Sequence, residues 1–115
     1  MRTGKKTGGK RAGNSRTERI LRFGVVGAGG MGQGYCQILS HLPLCRLAAV
    51  CDVNQPAAEA VGRQFGVAAF TKVSDLVASR TCDVVVVATP HPFHYQAALE
   101  CMQAGLHALV EKPLT

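Results

Sequence analysis

The sequence contains no tryptophan, and aromatic residues make up only 5% of its 115 positions. It also lacks any apolar run close to the roughly 18 residues of a membrane span. No apolar segment near the N-terminus indicates a secretory signal. A chain of this length forms at most one small domain. These absences argue against a membrane partner, and we expect a small globular domain in the cytoplasm.

Cysteine spacing typical of a metal or redox site is absent as well. The five cysteines are odd in number and widely spaced, and no two form a Cys-x-x-Cys pair. Cys51 and Cys101 lie in apolar stretches, as small buried residues do. We therefore predict five reduced thiols, with no disulfide framework and no metal site.

The positive charge of the chain is concentrated at its start. Residues 1–22 hold eight of the 13 lysines and arginines and one acid, so the rest of the chain is nearly neutral. Residues 1–20 are almost without apolar side chains, which predicts a disordered basic tail. Such a tail is either a solvated leader or an electrostatic contact for nucleic acid or an anionic surface. Since it has no aromatic residues and no nucleic-acid motif, we do not expect nucleic acid as a partner.

From Leu21 onward, strand-like and helix-like segments alternate. Strands are predicted at residues 21–26, 46–51, 67–70, 83–89 and 106–110, and helices at 30–41, 56–65, 75–79 and 92–104. The β-branched run in the fourth strand has no polar face, which is typical of a parallel strand covered on both sides. The pattern predicts an α/β fold with a doubly wound, Rossmann-like parallel sheet over residues 21–115. We expect this sheet to be incomplete at the C-terminus.

Local signals mark several helix ends and faces. Pro56 is suited to a helix start, Ser74 to an N-cap, and Gly66 and Gly105 to helix stops. The apolar residues of the first and last helices recur at spacings of three and four, which indicates apolar faces. They are Met31, Tyr35, Ile38, Leu39 and Leu42 in the first helix, and Tyr95, Ala98, Leu99 and Met102 in the last.

A glycine-rich turn follows the first strand and opens the first helix. In a Gly-x-Gly-x-x-Gly turn of this context, Gly27 allows the tight bend, Gly29 lets the backbone approach a pyrophosphate, and Gly32 lets helix and strand pack closely. The helix N-terminus presents free N–H groups to the phosphates. The alternative is a turn without a ligand. We predict a dinucleotide site over the whole turn, Gly27-Ala28-Gly29-Gly30-Met31-Gly32.

Asp52 ends the second strand, twenty residues after Gly32. A carboxylate there can accept hydrogen bonds from both ribose hydroxyls of an adenosine, whereas a 2′-phosphate meets like charge. No lysine or arginine occurs in residues 53–55 to bind that phosphate. We therefore predict NAD as the cofactor, with NADP as the other possibility. The alternative role for Asp52 is to cap the next helix.

A methyltransferase that binds S-adenosylmethionine is a second interpretation of a glycine turn followed by an acid. Those enzymes usually show a closer Gly-x-Gly-x-Gly spacing. They also give no reason for Glu111-Lys112-Pro113 at the end of the fifth strand.

Two further strings resemble a known family. They are Val86-Val87-Ala88-Thr89-Pro90, followed by His94, and Ala104-Gly105-Leu106-His107-Ala108-Leu109-Val110-Glu111-Lys112-Pro113. Both are similar to the nucleotide-binding domain of the Gfo/Idh/MocA oxidoreductases, which include glucose–fructose oxidoreductase and inositol dehydrogenase. The resemblance covers about Leu21 to Thr115. His91 departs from it, because members often carry asparagine after the Thr-Pro pair.

The resemblance implies hydride transfer between a nicotinamide and a sugar, polyol or related hydroxyl carbon. It implies that Lys112 is catalytic and hydrogen-bonds the reacting hydroxyl, and that Glu111 and Lys112 lie beside the cofactor. Thr89 and Pro90 are then expected to line the cofactor cleft, and His94 to be a packed residue. On the alternative interpretation, Lys112 is a surface lysine or an ion-pair partner of Glu111.

The family's second domain, which carries the substrate pocket, has no counterpart in these residues. We therefore expect a cofactor-binding fragment that meets a sugar or polyol substrate only together with that domain. Whether the chain itself is an enzyme stays open at this point. The alternative function is an inactive nucleotide-binding module that acts through a partner.

Overall fold

The computed structural model describes residues 19–89 and 93–110, with only the backbone of residues 93–95. Five strands and four helices alternate along these residues, and the strands form one parallel sheet in the order β3-β2-β1-β4-β5. The α/β prediction of a doubly wound sheet is confirmed. The elements are β1 Leu21–Val26, α1 Gly30–Leu39, β2 Cys45–Cys51, α2 Gln55–Phe65, β3 Ala68–Phe70, α3 Val73–Ala78, β4 Val84–Val87, α4 Phe93–Gln103 and β5 His107–Val110.

The sheet is covered on both faces because successive strand residues point to opposite sides. On one face, Val25 and Val86 pack with α1 and α2. On the other, Val26 and Val87 pack with α3 and α4. The strand order changes direction at β1, so the loops after β1 and β4 leave toward opposite faces. In open α/β sheets this is where a ligand crevice forms.

The buried face of helix α1 differs from the apolar face that the spacing of its large apolar residues predicts. Gly32, Cys36 and Leu39 are buried, whereas Met31 and Ile38 stay exposed, Ile38 by 55%. At Gly32 the helix approaches the backbone of Gly27 so closely that a Cβ would overlap it. An apolar spacing of three and four therefore identifies the helix without identifying its buried face.

The same holds for α4, whose described side chains are those of residues 96–103. Among them Ala97, Ala98 and Cys101 are buried, and the side chain of Tyr95 lies outside the described part. Leu99 and Met102 are exposed, although the spacing places them on an apolar face with Ala98. Gly105 ends this helix with a φ of +87°, as expected.

The predicted N-cap at Ser74 is wrong. Helix α3 begins at Val73, and its N-cap is Lys72, which makes no side-chain cap hydrogen bond. The Lys72 carbonyl already accepts the Asp75 and Leu76 N–H groups, at 3.1 Å each. The helix therefore starts earlier than the hydroxyl indicates. In α2, Pro56 and Gly66 occupy the expected start and stop positions.

An ion pair joins the starts of β1 and β4. Arg22 Nη2 lies 3.0 Å from Asp83 Oδ1, and Arg22 Nε donates to Asp83 Oδ2 at 3.2 Å. The Arg22 backbone N–H donates to the same carboxylate at 2.9 Å. These hydrogen bonds lower the pKa of Asp83 to about 2. The pair lies at the amino edge of the sheet, opposite the glycine turn.

All five cysteines fall within the described ranges and carry free thiols. Burial raises the pKa of Cys36 and of Cys101 to about 11 and the pKa of Cys51 to about 12. Burial also raises the pKa of Cys82. Cys45 is only half-buried.

We expect one of the five thiols to react rapidly with a thiol reagent while the chain is folded. With a pKa of about 11, only about a thousandth of the Cys36 thiol is the reactive thiolate at pH 8. Titration with a thiol-reactive chromogenic disulfide at pH 8 should therefore label Cys45 first and the four buried thiols only after denaturant is added. In Cys45→Ser the rapid phase of the labelling reaction should vanish. Rapid labelling of two or more thiols in the folded chain would contradict the burial of the other four cysteines.

Candidate functional site

The carboxyl ends of the three central strands meet at one edge of the sheet. The register pairs Val26 with Cys51 on one side and with Val87 on the other. Beyond the paired residues, the Gly27 N–H donates to the Cys51 carbonyl at 2.7 Å, and the Ala88 N–H donates to the Val26 carbonyl at 2.8 Å. The glycine turn therefore lies between the ends of β2 and β4.

Two of its glycines are required by the packing of the protein itself. Gly27 has a φ of +116°, and a Cβ there would lie 2.8 Å from the carbonyl carbon and oxygen of Ala88. A Cβ at Gly32 would overlap the carbonyl oxygen of Gly27. The turn is thus pressed against β4 on one side and against α1 on the other, as expected for the first and third glycines of the motif.

Gly29 and Gly30 differ from these two. A Cβ at either position would meet nothing within 4 Å. Gly29 is the N-cap of α1, and no side chain caps the helix there. The first-turn N–H groups are thus available to an anion. Packing within the described residues does not account for these two glycines, and both leave the backbone open to the close approach of an anion. Met31, the next residue, is about half exposed.

The Asp52 carboxylate closes this site from the end of β2. Its Oδ2 accepts the Ala28 N–H at 2.7 Å, and its Oδ1 accepts the Asn54 N–H at 2.8 Å. The next helix is capped by Asn54, whose side chain accepts the Ala57 N–H at 3.0 Å. The alternative in which Asp52 caps α2 is therefore wrong. A carboxylate has about four acceptor positions, so about two remain for a ligand.

A buried hydroxyl follows β4. Thr89 Oγ1 has no hydrogen-bond partner within the described residues, and the Thr89 backbone lies beside Gly27. A buried polar atom without a partner is costly, which favours a ligand contact at this point. Pro90, His91, Glu111, Lys112 and Pro113 lie outside the described residues, as does the side chain of His94.

Gln33, which no sequence motif predicts as a site residue, also contacts the turn. Its Nε2 donates to the Ala28 carbonyl at 2.9 Å. No motif marks this position, because a glutamine after the third glycine has no required role in the dinucleotide pattern. Only its place next to Gly32 could have drawn attention to it.

Other site types receive no support from the described part of the chain. Residues 19–89 and 93–110 contain no group of three or more His, Cys, Asp or Glu side chains able to hold a metal ion. Among the helices of these residues, none has the length and apolar character to cross a membrane.

A glycine turn at the topological switch point, opening a helix and tied to an acid at the end of the neighbouring strand, defines a dinucleotide-binding Rossmann domain. Residues 21–115 match the family described as "Oxidoreductase family, NAD-binding Rossmann fold", Gfo/Idh/MocA. The chain belongs to this family. The match confirms the family resemblance and NAD as the cofactor predicted from the sequence.

Comparison with individual proteins also finds dehydrogenases similar to this chain. The chain is 39% identical to an inositol 2-dehydrogenase of Rubrobacter xylanophilus over 85% of its length and 28% of the relative. It is 37% identical to a UDP-N-acetylglucosamine 3-dehydrogenase of Acidithiobacillus ferrooxidans, over 83% of the chain and 29% of the relative. A crystal structure of the WlbA dehydrogenase from Bordetella pertussis, in complex with NADH and UDP-GlcNAcA, superposes with a TM-score of 0.78 at 35% identity, covering 83% of this chain and 30% of that one. The chain thus spans less than a third of each protein.

Proposed function

We propose that this chain is the NAD-binding part of an oxidoreductase that transfers a hydride between nicotinamide and a hydroxyl carbon of a sugar or polyol. The observation that carries the proposal is the hydrogen bond from the Ala28 N–H to Asp52 Oδ2, which joins the glycine turn and the acid into one site. The names of the relatives, an inositol dehydrogenase and a UDP-N-acetylglucosamine dehydrogenase, support a sugar or polyol substrate.

Each part of the site has a role in holding the dinucleotide. The N–H groups at the start of α1, over residues 29–32, are proposed to bind the pyrophosphate. The Asp52 carboxylate, held by two backbone amides, is proposed to accept the ribose hydroxyls with its remaining acceptor positions. Thr89, whose hydroxyl has no hydrogen-bond partner among the described residues, is proposed to contact the cofactor from the end of β4.

The chemistry follows from the bound nicotinamide, which accepts or gives up the hydride. Lys112 follows β5 in the sequence and is proposed to hydrogen-bond the reacting hydroxyl, so that its charge stabilises developing alkoxide. Pro90 and Glu111 are proposed to border the same cleft. The substrate pocket is proposed to lie in the part of the relatives' length that this chain does not span.

Preference for NAD over NADP is part of the proposal. A 2′-phosphate would have to approach the Asp52 carboxylate, which is held in place by the Ala28 and Asn54 amides and cannot turn away without breaking them. No basic residue lies in residues 53–55 to offset the repulsion.

The test is titration of the chain with NADH and NADPH, followed by nicotinamide fluorescence. We expect saturable NADH binding and NADPH binding weaker by about tenfold or more. Asp52→Ala should weaken NADH binding by about 10- to 100-fold, since a charge-assisted hydrogen bond is lost. The same variant should weaken NADPH less than NADH, because the repulsion disappears as well.

Asp75→Ala is the matched control, because Asp75 is an exposed acid in the first turn of α3, which packs on the opposite face of the sheet from α1. It should leave both affinities unchanged. Absence of NADH binding would refute the cofactor role. Equal losses for NADH and NADPH in Asp52→Ala would show that Asp52 supports the turn without facing the ribose.

A further inference from the structure

Two side chains hold the backbone of Ala28, one from each direction. Asp52 Oδ2 accepts its N–H at 2.7 Å, and Gln33 Nε2 donates to its carbonyl at 2.9 Å. Gln33 is itself anchored to the turn, because its backbone N–H donates to the Gly29 carbonyl at 2.9 Å. Ala28 is thereby tied to the end of β2 and to the first turn of α1.

These two hydrogen bonds act on two successive peptide groups. The Ala28 N–H belongs to the Gly27–Ala28 peptide, and the Ala28 carbonyl belongs to the Ala28–Gly29 peptide. In a planar trans peptide, the carbonyl and the N–H point in opposite directions. Because Gln33 draws the Ala28 carbonyl toward α1, the Gly29 N–H of the same peptide is directed away from Gln33.

The Gly29 N–H has no protein acceptor in the described residues, and the space next to Gly29 is open. A Cβ at Gly29 would meet nothing within 4 Å, and no acceptor for this N–H is found among residues 19–89 and 93–110. Glycine resists rotation of the adjoining peptide less than any other residue. The hydrogen bond from the Gln33 side chain therefore restricts rotation of the Ala28–Gly29 peptide, which glycine alone leaves free.

We infer that Gln33 is a positioning residue, which holds the Ala28–Gly29 peptide so that the Gly29 N–H is presented to the phosphates of the dinucleotide. The inference rests on the proposed function and adds to it a residue outside the glycine motif. Gln33 touches neither substrate nor nicotinamide in this role. It acts through the Ala28 carbonyl alone.

The probe is ADP-ribose, which carries the adenosine and the pyrophosphate of the cofactor without the nicotinamide, with affinity measured by calorimetry. Gln33→Ala should weaken ADP-ribose binding by about 3- to 10-fold, the loss expected for one hydrogen bond. Gln37→Ala is the matched control, since Gln37 lies one turn further along α1 and is exposed. Both variants should melt at about the same temperature.

A second variant provides a readout that a purely structural role would not move. In Gln33→Glu, the ionised carboxylate cannot donate to the Ala28 carbonyl, whereas the protonated carboxyl can. An exposed glutamate titrates near pH 4.3. The affinity of Gln33→Glu relative to wild type should therefore rise several-fold between pH 7 and pH 4.5. It should rise more than that of Gln37→Glu, which adds the same charge to α1 one turn further along the helix. Gln33→Ala should keep a constant ratio, since alanine has no side-chain group that gains or loses a proton.

The outcomes separate this inference from the proposed function. If wild type binds ADP-ribose and Gln33→Ala binds it equally well, the inference is overturned and the proposed function stands. A constant affinity ratio for Gln33→Glu across the pH range also overturns it. If wild type binds neither ADP-ribose nor NADH, the proposed function fails, and the role of Gln33 fails with it.

Discussion

Gly32→Ala is expected to unfold much of the chain and to abolish dinucleotide binding in what remains folded. The added Cβ would overlap the carbonyl oxygen of Gly27, and that oxygen belongs to the backbone, so no side-chain rotation can relieve the overlap. Helix α1 must move away from the turn. Overpacking of this kind costs about 3 kcal/mol or more, a large share of the stability of a small domain.

The measurement is thermal unfolding followed by circular dichroism, together with the NADH titration. A loss of about 3 kcal/mol lowers the Tm of a domain of this size by more than about 10 °C. Binding should fail even below the Tm, because the displaced helix no longer presents its N-terminal amides beside Asp52.

Gly34→Ala is the control for this prediction. Gly34 lies in the same helix, and a Cβ there would meet nothing within 4 Å. Because alanine is the better helix former, the substitution should stabilise the chain by about 0.5–1 kcal/mol and leave NADH binding unchanged. Similar Tm values for the two variants would show that α1 does not pack on the turn as described.

Leu76→Ala is expected to cause the second large effect, on stability alone. Leu76 is only 1% exposed and is among the largest fully buried side chains of the described residues. It packs in the cluster between the sheet and α3 and α4, with Val85 and Cys101. Truncation of such a leucine costs about 2–5 kcal/mol, the sum of lost burial and the cavity that remains.

Urea unfolding measures this loss, with Leu99→Ala as the control. Leu99 is 41% exposed in α4, so its truncation should cost about 1 kcal/mol or less. The folded fraction of Leu76→Ala should bind NADH with wild-type affinity, since Leu76 does not contact the glycine turn. If truncation of Leu76 and of Leu99 lowered the free energy of unfolding equally, Leu76 would not lie in a core on this face of the sheet.

Much of the fold follows from local features of the chain. The first strand was predicted at its observed bounds, Leu21–Val26, because an apolar run meets a glycine that breaks it. Pro56 and Gly66 mark the start and stop of α2 for equally local reasons, a fixed φ and a left-handed φ of +69°. Ser74 failed as a marker, because a hydroxyl near a helix start can lie inside the helix as well as before it.

Residue order alone is enough to predict that strands and helices alternate, that a glycine turn opens the first helix, and that an acid ends the second strand. These properties depend on residues adjacent in the chain. The hydrogen bond from the Ala28 N–H to Asp52, 24 residues later, follows from the packing of the folded chain. The same packing sets which face of each helix is buried, and it brings the Gln33 side chain to the Ala28 carbonyl. Those contacts depend on how the helices pack on the sheet and on how the peptide groups of the turn are oriented. The spacing of residue types along the chain encodes neither of these.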